Sequence, residues 1–170
     1  MGLLSQEFNN LNDLLVHELK DLYDAEQRLT EALPGMAEAA HNQELKQAFL
    51  THLGQTRTHV SRLEQVFGRL NEEAERETCP GMKGLIAEGE EIIKAKGDPA
   101  TLDAGLIAAA QKVEHYEIAS YGSVRTHAMR LGYRDVADTL QMTLDEEGQA
   151  DKLLTQIAES SSNPQAASHA

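Results

Sequence analysis

The sequence predicts an all-α protein, a bundle of four long helices set as two antiparallel hairpins joined by a long connection. Three observations carry this. Ala, Leu, Glu, Gln, Lys and Arg, the strong helix formers, dominate the chain. Strand signals are nearly absent, with no Asn-Gly or Asp-Gly hairpin turn and no β-branched run. Apolar residues recur at spacings of three, four and seven over four long stretches.

A first helix is expected from about Ser5 to about Ala40, on the stripe Leu11, Leu15, Leu22, Leu29, Leu33 and Met36. Pro34-Gly35 is expected to kink it or end it early, because proline removes a helix hydrogen bond. His41-Asn42 reads as a turn. A second helix fits Gln43 to about Asn71, with Leu45, Phe49, Leu53, Val60, Leu63 and Phe67 on one face. The punctuated stretch Thr78-Cys79-Pro80-Gly81 follows, then a short helix from about Met82 to Lys96. Gly97-Asp98-Pro99 breaks it. A third long helix fits Thr101 to Leu131, on Leu106, Ala110, Val113, Tyr121, Val124 and Ala128. Gly132 suits a helix C-terminus. A fourth runs from Tyr133 or Arg134 to about Ser160, on Val136, Leu140, Leu144, Leu154 and Ile157. Residues 1–160 then form one bundle domain, and the small, polar residues 161–170 are expected to be a disordered tail.

Helices joined by tight turns run antiparallel. The connection between the hairpins, roughly 30 residues with its own short helix, is long enough to cross the bundle. A four-helix bundle with one long crossover is the ferritin-like arrangement.

Composition narrows the function. Asp and Glu number 28 against 15 Lys plus Arg, a formal charge of −13. That argues against nucleic acid, whose phosphates need a basic face, and against an anionic membrane surface. No apolar run has the length of a membrane span, and the first residues lack a signal-peptide pattern, so the expected location is cytoplasmic. One cysteine, Cys79, builds neither a disulfide framework nor a cysteine-rich zinc site.

Carboxylates that interrupt the apolar stripes carry the functional information. Glu114 and Glu117 fall inside the third stripe, three residues apart and on one face. Glu147 stands where the fourth stripe wants an apolar residue, and Asp151 lies one turn on. Glu26 lies between Leu22 and Leu29. On the second helix Thr56 interrupts the stripe, bordered by His52 and His59. Height along the bundle gives a second check. Glu114 and Glu117 precede Gly132 by 18 and 15 residues, and Glu147 and Asp151 follow it by 15 and 19. At equal rise per residue these acids share one level. Glu26 and His59 stand at a similar distance from the His41-Asn42 turn, whereas His52 lies some seven residues off that common level.

Several buried carboxylates together repel one another unless cations neutralise them. Five inward acids carry −5, and two divalent ions supply +4. Hard oxygen ligands with one or two imidazoles suit two iron ions, or manganese. The expected ligands are Glu26, His59, Glu114, Glu117, Glu147 and Asp151. Tyr23, Tyr116 and Tyr121 read as core or rim, with a hydrogen bond toward a metal ligand open to any tyrosine near the ions. His115 and His127 read as surface, and Cys79 as structural.

Three stretches make the sequence familiar: Glu18–Glu26 (ELKDLYDAE), Ile107–Gly122 (IAAAQKVEHYEIASYG) and Thr143–Glu147 (TLDEE). Over about Asn10 to Glu159 the chain resembles the YciF/YciE-type ferritin-like family, a rubrerythrin-like group. The resemblance implies a dinuclear metal centre in a bacterial, stress-associated protein, with peroxide or dioxygen chemistry. It matches Glu26, Glu114, Glu117 and Glu147 to ligand positions, with Asp151 following. The family commonly carries acids just before the position of Thr56, where this chain has Gly54 and Gln55. The rival reading is a structural or interaction bundle, a stress-associated homodimer with a vestigial or single-metal site.

Overall fold

The computed structural model describes residues 6–168, and among these there is no strand. Six helices follow in order: α1 Leu11–Ala39, α2 Gln43–Leu70, α3 Pro80–Lys94, α4 Pro99–Leu131, α5 Arg134–Ile157 and α6 Asn163–Ala167. The four long ones, α1, α2, α4 and α5, form the bundle.

Each start has a local cause. Asn10, Asn42 and Asp98 accept the orphan backbone N–H groups of α1, α2 and α4 through their side chains. Pro80 and Pro99 open α3 and α4, where a missing N–H costs nothing. α2 ends at Asn71 and α4 at Gly132, both in the left-handed region, at φ 56° and 85°.

α1 begins at Leu11 rather than near Ser5, which lies outside the described residues. The Asn10 cap sets that start, and Phe8 ahead of it is exposed. Pro34 does not end the helix, which continues to Ala39.

The expected disordered tail is a correction. Ala158–Ser162 continues α5 as a π-type turn, and α6 follows, both packed on α4. Ser162 is buried, and Ser161 Oγ accepts from Asn42 Nδ2 at 2.8 Å. The segment is thus tied to the first hairpin turn, whose His41 and Asn42 N–H groups donate to the buried Asp103. Composition alone concealed this, because the partner of Ser161 lies across the bundle, on Asn42. His169 and Ala170 lie outside the described residues.

Cross-bundle contacts fix the directions. Glu18 meets His127 and the His41 turn meets Asp103, so α1 and α4 are antiparallel. His59 meets Glu146 and Arg69 meets Asp135, so α2 and α5 are antiparallel as well. The helices therefore run up, down, down, up, as the long crossover requires.

α3 packs on α1 and α4. Its anchor is Asp24, 2% exposed, which accepts the Cys79 N–H and also binds the Arg28 and Arg76 guanidiniums. Burial pushes the Asp24 carboxyl up, but these donors hold it below its ordinary value. Tyr116 donates to Asp21 and lies 3.0 Å from Cys79 Sγ. Gly81 is required there, since a Cβ would come within 2.6 Å of the Tyr116 ring.

The core has two apolar parts. One gathers Leu29, Leu33, Leu45, Phe49, Leu106, Ile107 and Ile157; the other gathers Leu15, Leu19, Leu63, Phe67, Val124, Val136 and Leu140. Between them lies a polar layer: Glu26, His52, Thr56, His59, Glu114, Glu117, Thr143 and Glu147 are all buried.

Candidate metal centre

The layer forms because each bundle helix sends inward one or two polar side chains where its stripe would otherwise be apolar. α1 supplies Glu26, α2 His52 and His59, α4 Glu114 and Glu117, and α5 Glu147. These fall into two ligand groups. His52, Glu114, Glu117 and Glu147 form one, and Glu26, His59 and Glu147 form the other. Within each group one donor atom per residue lies within 4.8 Å of the others. Glu147 belongs to both.

Distances show how Glu147 is shared. Its Oε1 lies 2.8 Å from His59 Nδ1, and its Oε2 lies 3.6 Å from His52 Nε2. Glu114 Oε1 is 3.3 Å from His52 Nε2, and Glu26 Oε1 is 3.3 Å from His59 Nδ1. Short as they are, these approaches are not aligned as hydrogen bonds. His52 Nε2, His59 Nδ1, both oxygens of Glu117 and of Glu147, and one each of Glu26 and Glu114 are buried without a hydrogen-bond partner. Orphaned atoms of this kind are costly. Donor atoms gathered within 4.8 Å of one another and lacking hydrogen-bond partners form a group that could hold cations.

The electrostatics agree. Burial pushes the carboxyls of Glu114 and Glu117 well above their ordinary range, and the Glu147 charge adds to it. Burial also raises Glu26, despite His59 beside it. Burial would raise Glu147 too, but the His59 and His52 imidazoles hold it lower. Burial alone would lower His59, yet the Glu147 and Glu26 carboxylates lift it to about 10. His52 is lowered by its burial. Without a metal, the carboxylates around His59 therefore favour its protonated form. A divalent ion would displace that proton and neutralise the acids as well.

Other residues hold the ligands in place. His59 Nε2 lies 2.7 Å from Glu146 Oε2, and Arg62 binds both oxygens of Glu146, at 2.7 and 2.9 Å. The Arg62 guanidinium keeps Glu146 ionised, below the usual carboxylate range. An ionised Glu146 accepts the Nε2 proton, so Nδ1 is the nitrogen free to face the layer. Tyr121 O–H donates to Glu26 Oε1 at 2.5 Å. Replacing Glu146 with glutamine is expected to weaken metal binding by about 10–100-fold. Titration against a chelator reads this, and an unchanged affinity would remove Glu146 from the role.

Five of the six ligands expected from the sequence come together: Glu26, His59, Glu114, Glu117 and Glu147. Asp151 does not join them. It is half-buried toward the surface, accepting from Gln111 Nε2 at 3.0 Å and lying 3.2 Å from His115 Nε2. His52, set aside as too far along its helix, takes its place in the cluster. The four clustered carboxylates carry −4, which two divalent ions would cancel. No acid comes from the segment before Thr56: Gly54 is exposed, and Gln55 Oε1 lies 3.4 Å from His52 Nδ1.

Fold and cluster define a class, an antiparallel four-helix bundle whose centre is a buried histidine–carboxylate layer. The chain belongs to the family described as Domain of unknown function (DUF892), whose profile matches residues 10–167. It is 45% identical over 157 residues to protein YciF of Escherichia coli (strain K12), spanning 92% of this chain and 95% of that one. The crystal structure of that E. coli stress protein gives a TM-score of 0.86, covering 89% of this chain and 96% of its own. YcfI of Rhodopseudomonas palustris, for which a structural role has been suggested, gives 0.86 at 41% identity, covering 90% and 98%. A Xanthomonas campestris pv. campestris protein shares the fold at 21% identity, with a TM-score of 0.71 over 89% and 93%. The resemblance carried by the three stretches is thus a family relation, and it supports the ferritin-like bundle.

Proposed function

We propose that this protein holds two iron ions, or manganese, and reacts with peroxide or dioxygen in a cytoplasmic stress response. The observation that carries the reading is the convergence of unpartnered, buried donor atoms on two positions that share Glu147. His52, Glu114 and Glu117 would hold one ion, Glu26 and His59 the other, with Glu147 between them. Two ferrous ions held there would supply electrons for reducing dioxygen or a peroxide. The chain's own residues do the rest. Glu146 orients His59, Tyr121 donates to Glu26, and the apolar clusters on either side exclude water. The setting is supported by the E. coli relative, a stress protein. No helix of the described residues is long and apolar enough to cross a membrane.

The test is elemental analysis after aerobic iron loading, with peroxide consumption followed on the same sample. About two ions per chain are expected, falling below one in Glu114→Ala/Glu117→Ala. Well under one ion in the unaltered chain, with no change in the double variant, would sink the reading. The rival, a structural homodimer with a vestigial or single-metal site, draws on the absence of an acid from α2 and on the role suggested for YcfI. Rapid loss of peroxide on the loaded protein would argue against it.

A further inference from the structure

One cavity reaches the polar layer from outside. It opens between α2 and α5, has a volume of about 150 Å³, and includes His52 and Glu114 in its lining. These residues are only 6% and 3% exposed. His52 Nε2 and Glu114 Oε2 have no hydrogen-bond partner, so the inner end of the cavity is polar and unsatisfied. The walls differ in chemistry: Phe49, Ala150, Leu153 and Leu154 are apolar. Gln55 and Gln149 add uncharged amides, and Glu114 is the one charged residue of the lining.

Each feature limits the occupant. A cavity of about 150 Å³ accommodates a benzene-sized molecule, far more than hydrogen peroxide needs. The apolar walls favour a hydrocarbon body, and the polar end favours one hydrogen-bonding head. Anions are opposed by the net charge of −13. A cation path would call for more than one carboxylate.

We propose that the cavity binds a small alkyl hydroperoxide, with its alkyl group on Phe49, Leu153 and Leu154 and its peroxide end toward His52 and Glu114. The assignment rests on the dinuclear reading and gives that centre its substrate class. Reduction of the O–O bond would take two electrons, which two ferrous ions held by the layer would supply, and two protons, and would release the alcohol and water.

Two measurements on the full chain test it. In the first, tert-butanol, a redox-inert stand-in, is titrated into metal-free protein while the leucine methyl NMR signals are followed. Shifts at Leu153 and Leu154 are expected, and Ala150→Leu, which fills the cavity, should abolish them. In the second, iron-loaded protein is given tert-butyl hydroperoxide or hydrogen peroxide. Ala150→Leu is expected to lower the ratio of their kcat/KM values at least tenfold, the effect of about one methylene in an apolar pocket. Should that variant fail to fold, Leu153→Ala at the partly exposed rim is expected to strengthen binding of the bulkier benzyl alcohol. The proposal is overturned by absent methyl shifts, by equal tert-butanol binding in Ala150→Leu, or by equal slowing of both peroxides. If tert-butanol binds as expected but neither peroxide reacts while the chain holds about two ions, the hydroperoxide assignment falls and the cavity stands as a small-ligand site; if the chain holds well under one ion, the dinuclear reading falls instead.

Discussion

Glu147→Ala is expected to lower bound metal from about two ions per chain to well below one, whereas Glu26→Ala leaves about one. The asymmetry follows from geometry. Glu26 serves one ligand group, while Glu147 presents one oxygen to His59 and the other to His52. Glu147→Gln keeps the size of the side chain and the helix, so the same loss of metal in a chain of unchanged circular dichroism separates a missing ligand from a misfolded bundle. Retention of two ions by either Glu147 variant would dismiss the shared-ligand arrangement.

Glu117→Gln is expected to do something a merely structural residue would not: to stabilise the metal-free protein while weakening its hold on metal. Glu117 is fully buried, and neither oxygen has a hydrogen-bond partner. Its carboxyl is pushed well above the ordinary range by burial, then by Glu147 and Glu26. Between the unfolded value of about 4.3 and the raised folded value, the folded state binds more protons than the unfolded one. Stability of the metal-free chain therefore falls as pH rises through this window, and below it the cost is absent. Glutamine carries no charge at any pH and removes the dependence. At pH 7 the metal-free variant should be more stable than the unaltered chain, because an unpaired buried charge costs more than an unpaired neutral amide. Near pH 4 the difference should shrink toward zero. Thermal unfolding of chelator-stripped protein at the two pH values measures this. A variant less stable at pH 7 would contradict the repulsive layer.

The fold and most of the site were readable because both rest on periodicity. Glu26, Glu114, Glu117 and Glu147 announced themselves by standing where a leucine or valine was due, and the structure buries all four. His52 escaped because counting residues locates Cα atoms, not side-chain ends. It stands two turns from His59, yet their rings come within 6.3 Å, and Glu147 lies close to both. Asp151 misled in the opposite sense. Four residues past Glu147 it shares the level but is rotated off the inward line, and it meets Gln111 and His115 instead. Glu146 gave no periodic signal, since its role depends on Arg62 and His59 of another helix. The tail was hidden for a similar reason: its order depends on contacts with α4 and Asn42, which no local property of a serine-rich segment reveals.

The split core has a consequence for the lifetime of the chain in a cell. Two apolar clusters meet at a layer of mutually repelling carboxylates, so the empty bundle is expected to be weakest at its middle. Cations held at the layer, as proposed, would tie the four helices together there and make opening more cooperative. Proteolysis follows the population of opened molecules. If the layer holds metal as proposed, metal supply would then set how long each copy survives.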